Sequence, residues 1–77
     1  MSSGDDYRKH IADLYHAKVL GGPELIRTKQ TFIAAVKSDA ALRAEVQAQR
    51  ARMTDDVCKR DFTSRVMRPV LDEALEA

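Results

Sequence analysis

SDAALRAEVQAQRARMTDDVCKRDFTSRVMR, residues 38–68, is the longest stretch of the chain with an uninterrupted helical pattern, and its reading decides the fold. Wound at about 100° per residue, it aligns Ala41, Ala44, Ala48, Ala51, Asp55, Cys58 and Phe62 on one stripe. Their three- and four-residue steps match the seam of a coiled coil, and the alanines would let a second helix approach closely. A narrower apolar stripe of Leu42, Val46, Met53 and Val57 lies on another side. Arg43, Gln47 and Arg50 fill one gap between the stripes, and Glu45 and Arg52 the other. Such a helix is contacted from two directions, so something must cover each stripe.

The same stretch carries an internal stop at Met53-Thr54-Asp55-Asp56. Thr54 can accept from the free N–H groups of a following helix, and Asp55 and Asp56 suit the positive end of its dipole. A break or kink is therefore favoured over a straight rod. The pattern then reads as helices over about 39–53 and 55–68, although the two can also run on as one long kinked helix.

Working outward, the residues before Ser38 form two more helices. Tyr7, Ile11, Leu14, Tyr15 and Val19 recur at helical spacing and predict a helix over about 5–20. Gly21 suits the left-handed position after a helix end, and Pro23 suits the first turn of the next. That second helix, about 23–37, gathers Leu25, Ile26, Phe32, Ile33 and Val36 on one face, with Phe32 as the central core residue of the chain. Lys29 falls in the middle of that face and must lay its stem on apolar surface with its amine in water. Beyond Arg68, Pro69 disfavours helical geometry at its neighbour and predicts a boundary there, followed by a short helix over about 69–75. No strand pattern is present. The fold class is all-α: one domain over residues 1–77, a bundle of three to five helices, loose at 1–4 and 76–77.

A 77-residue chain hides only about 60% of its unfolded surface on folding, so its core is thin. Eleven of its residues are alanine, there is no tryptophan, and only four residues are Phe or Tyr. Domains of this kind gain stability from well-formed helix packing or from association, and a homodimer is one expected outcome. The net charge of +1 gives no bulk attraction for nucleic acid or an anionic membrane. The charge is unevenly spread: seven basic residues face four acidic ones from Arg43 to Arg68, and Asp72, Glu73 and Glu76 follow. This describes solvated helix faces with an acidic end, or a weakly basic surface partly screened by the tail. A single cysteine, Cys58, cannot form a disulfide within the chain and reads as a small core residue. With no apolar run of membrane-spanning length, the expected location is the cytoplasm.

Chemistry-bearing patterns are few. His10, Asp13 and His16 sit three apart on the polar side of the first helix, but a zinc site would need further ligands from elsewhere, so no metal or other cofactor is implied. Gly21-Gly22 lacks a preceding strand and a following Lys-Ser/Thr, and Pro23 removes an amide a phosphate would use. No nucleophile is paired with a histidine at an interpretable spacing, so no catalytic residue is assigned and an enzyme is not expected.

Two functions follow by elimination. The first is a small non-enzymatic interaction module, acting as adaptor, inhibitor or assembly subunit for a larger protein or its own copy. Its expected contacts are Leu42, Val46, Arg50 and Met53 on one side and Ala48, Ala51 and Phe62 on the other; Phe62 reads more naturally as core. The alternative is a helix-turn-helix DNA-binding regulator, in which the helix after Ser38-Asp39 offers Arg43, Gln47 and Arg50 to the groove.

Overall fold

Five helices follow one another with almost no intervening chain, because the sequence supplies a turn or cap at every junction. The computed structural model describes residues 3–77, and among them there is no strand. The helices are α1 (Ser3–Leu20), α2 (Gly22–Ser38), α3 (Ala40–Arg52), α4 (Asp55–Arg60) and α5 (Phe62–Glu76). Of the residues expected to be loose at the start, Met1 and Ser2 lie outside the described residues, whereas Ser3 and Gly4 are helical.

Gly21 and Gly22 join α1 to α2 with φ of 71° and 57°, a region that side chains rarely tolerate. The Gly21 N–H donates to the Ala17 carbonyl at 2.8 Å and closes the last turn of α1. Asp39 alone separates α2 from α3. Its backbone N–H closes α2 on Ala35, and its carboxylate accepts from the Ala41 and Leu42 amides at 3.0 and 3.2 Å. One residue thus ends a helix and starts the next.

The favoured break in the middle stretch is present. Thr54 accepts from the Val57 amide at 3.3 Å, with Asp55 and Asp56 in the first turn of α4. The boundary expected at Arg68-Pro69 is not, and is corrected to Asp61. There the carboxylate accepts from the Thr63 amide at 3.2 Å and from the Ser64 hydroxyl at 2.7 Å. Pro69 lies inside α5, where it costs about 3 kcal/mol by removing one helical hydrogen bond and crowding a carbonyl. Met67 and Leu71, on either side of it, are both buried. At about 1.5–3 kcal/mol each, their burial offsets that cost and carries the helix through the proline.

α1 packs on α2 and α3, while α5 packs on α2, α3 and α4. They share one core of Tyr7, Leu14, Phe32, Val36, Leu42, Val46, Met53, Cys58, Met67, Leu71 and Ala74. Phe32 is fully buried, as its place in the sequence predicts. The radius of gyration, 11.9 Å, is close to the ~11.5 Å of a compact chain of this length, so a single copy closes its own core.

Candidate interaction surface

The contacts expected on α3 divide sharply. Leu42, Val46 and Met53 are buried within the single chain and present no surface to a partner, which corrects that half of the expected interface. The reason is that α1, α2 and α5 all pack on α3, so its narrower stripe faces the shared core to which α5 contributes Met67, Leu71 and Ala74. The alanine stripe remains outside, with Ala41, Ala44, Ala48 and Ala51 all exposed. Phe62, read more naturally as core, is 63% exposed at the first position of α5. The break at Thr54 and the Asp61 cap remove it from the line that a continuous helix would have drawn through Ala51 and Cys58.

The basic residues assigned to DNA are engaged inside the molecule. Arg43 donates to the Leu75 carbonyl at 2.9 Å and so satisfies the C-terminal end of α5. Arg50 donates to the Asp72 carboxylate, and to the Met53 carbonyl at 3.3 Å. Of the three residues expected to read bases, only Gln47 stands exposed with no such bond. Arg43 and Arg50 are thereby tied to α5, while Arg52 stays exposed at the end of α3.

The first two helices leave apolar side chains outside. Val19 is 86% exposed, Leu20 59% and Ile26 60%, all within eight residues around the Gly21–Gly22 turn. Val19 and Ile26 were expected on inner faces. Each lies about 120° around its helix from a buried residue, Tyr7 for one and Phe32 for the other. Ala17, which the apolar pattern passes over, is buried instead and rotates α1 away from Val19. Nothing lies within 4 Å of a Cβ placed on Gly21 or Gly22, so the turn itself is open on its outer side.

Next to this turn, Lys29 behaves as its position predicts. Its ammonium reaches Glu73 Oε2 on α5 at 3.1 Å, while its stem crosses apolar surface. A groove of about 210 Å³ lies on one side of this pair, walled by Leu14, Tyr15, Leu25, Val66 and Val70, with Lys18 at its rim. On the other side a depression of about 170 Å³ is bounded by Ile26 and Ile33. The two hollows, the ion pair between them and the exposed turn make a surface that can seat apolar side chains and steer charged ones. Leu25 and Ile26 lie about 100° apart on α2, and Ile26 falls on the side away from Phe32.

The polar candidates do not gather into a centre. The His10 ring sits 5.5 Å from the Phe32 ring, and His16 is exposed. No group of three His, Cys, Asp or Glu suited to a metal ion occurs among the described residues. Tyr7 is buried; chiefly through that burial, and secondarily through Glu45 and Tyr15, its hydroxyl pKa is pushed up to about 12.

A second concave region joins α4 to α5. Arg65 donates to the Cys58 carbonyl at 2.9 Å and the Lys59 carbonyl at 3.0 Å, covering the free end of α4. Arg68 donates to Asp55 Oδ1 at 2.6 Å and to Cys58 Sγ at 3.8 Å. The hydrogen bond from Arg68, and then its charge, hold the Asp55 carboxyl below the usual carboxylate range. Neither arginine was singled out in the sequence, where their three-residue spacing across α5 was the only sign. No helix among the described residues is long and apolar enough to cross a membrane. No family model matches the chain, and neither the curated proteins nor the solved structures give a significant match.

Proposed function

We propose that this chain is a small non-enzymatic protein-interaction module, an adaptor, inhibitor or assembly subunit, that presents helical surface to a larger protein. One observation carries the reading. In a chain that closes its own core, Val19, Leu20 and Ile26 stay exposed around one tight turn, with Leu20 at the edge of one depression and Ile26 at the edge of another. Single exposed apolar residues are ordinary on any protein, but three of them within eight residues around one turn, bordering hollows, support a contact site. The contact moves from the α3 positions of the sequence reading to the α1–α2 turn, with Phe62 as a separate exposed anchor. Association of two copies through the same turn is the other arrangement this surface allows. The free, buried Cys58 suits a reducing cytoplasm.

The test compares the native chain with a triple variant, Val19→Ser, Leu20→Ser and Ile26→Ser. These positions are exposed, so the variant keeps its helicity and melting behaviour. Capture of a definite partner from the native cell, or a concentration-dependent dimer in sedimentation, is expected for the native chain and lost in the variant. A native chain that stays monomeric, and captures the same proteins as the variant, contradicts the reading.

A further inference from the structure

We propose that the cleft between α4 and α5 binds a phosphate monoester dianion. The cleft is a shallow, open depression of about 430 Å³ lined by Asp55, Cys58, Lys59, Arg65 and Arg68. Three cations against one carboxylate leave the lining at +2, the complement of one phosphate monoester near neutral pH. The chain as a whole carries only +1, so this is a local charge that suits one isolated dianion and not a polyanion.

The donors are held in place before any ligand arrives. A guanidinium has five N–H groups in a fixed fork. Arg65 spends its Nε and one Nη2 hydrogen on the Cys58 and Lys59 carbonyls. Its remaining N–H groups have no acceptor among the described residues. Arg68 is anchored through Nη1 on Asp55 and Cys58, which leaves Nε and Nη2 uncommitted. The Lys59 ammonium pairs with nothing described. Arg65 also covers the two carbonyls at the end of α4 that would otherwise repel an anion. Of the two neighbouring carboxylates, Asp56 lies in the first turn of α4 and does not line the cleft, and Asp61 is occupied in capping α5. Anchored arginine forks beside an exposed lysine suit a tetrahedral group with three terminal oxygens better than a planar carboxylate.

The experiment is a backbone-amide NMR titration of the full chain with inorganic phosphate and, separately, with N-acetyl-phosphoserine amide, against chloride at matched ionic strength. Saturable shifts confined to the amides around Cys58, Lys59, Arg65 and Arg68 are expected. Lys59→Ala breaks no side-chain bond in the fold and should weaken binding about tenfold, the loss of one charge-assisted contact. Arg65→Lys, which keeps the charge but not the fork, should weaken it as well. Tighter binding of the phosphoserine probe assigns the source to a phosphorylated side chain, and equal binding assigns it to free phosphate. Shifts reproduced by chloride, no saturation, or an affinity unchanged by Lys59→Ala overturn the site.

Discussion

The α3–α5 seam and the α1–α2 turn are made from similar material, apolar residues interleaved with cations, yet one is closed and the other open. On the seam, Leu42, Val46 and Met53 meet Met67, Leu71 and Ala74, while Arg43 and Arg50 are tied to Leu75 and Asp72. At the turn, Val19, Leu20 and Ile26 meet nothing comparable, and the Lys18 ammonium at the rim has no described partner. The difference teaches that hydrophobic periodicity marks where a helix can be covered, and the direction of the next helix decides where it is covered. The alanine stripe of α3 stays exposed, and no further helix among the described residues covers Val19, Leu20 and Ile26 at the α1–α2 turn.

The comparison breaks first if the seam is not the stability core. Truncating the core there has the largest expected effect: Leu42→Ala on the seam should cost about 2–5 kcal/mol, and Phe32→Ala, in the same core on α2, about 3–5 kcal/mol in urea unfolding. A loss below ~1 kcal/mol at both would mean that the core lies elsewhere. The arginine tie is a smaller contribution. Arg50→Ala should cost about 1 kcal/mol, and a double-mutant cycle with Asp72→Ala should return a favourable coupling. No coupling would place Arg50 among the solvated cations and return it to the candidates for an outside ligand.

Two titrations sharpen the picture further. Tyr7 has a folded pKa of about 12 against an ordinary 10.0. Below pH 10 the hydroxyl is neutral in both states and its contribution is complete; as pH rises toward 12, the unfolded chain releases the proton first and stability falls. Denaturant midpoints measured from pH 9 to 12 check this, and a flat profile would place Tyr7 in solvent. Asp55 runs the other way. Its folded pKa is depressed, so its contribution is complete above 3.8 and is lost as pH falls through the lower folded value. The Asp55 carboxyl chemical shift should therefore titrate below pH 3.8. Least affected of all should be the open faces, where Ala48→Lys and Ile26→Ser stay within about 0.5 kcal/mol of the native chain.

Much of the fold was legible. Asp39, Thr54 and the Gly21–Gly22 pair mark three of the four junctions because cap and turn chemistry is local and does not depend on packing. Pro69 misled because its cost is local while the burial of Met67 and Leu71 that overrides it is tertiary. The same limit governs the candidate surface. Helical spacing placed Leu42, Val46 and Met53 together but could not say that α1, α2 and α5 would cover them. It grouped Val19 and Ile26 with inward residues because a face drawn from sequence has no fixed centre until neighbours define it. The α4–α5 cleft was out of reach for a related reason, since it exists only once Asp61 turns α5 back toward α4.

The claim that matters most is that the α1–α2 turn is a contact site, and two native lysines already flank it. Amine cross-linking in the cells that express the chain, read by mass spectrometry, should give intermolecular links concentrated at Lys18 and Lys29, to one definite partner or to a second copy. Links confined within the chain, or intermolecular links spread evenly over Lys9, Lys37 and Lys59 as well, would contradict it.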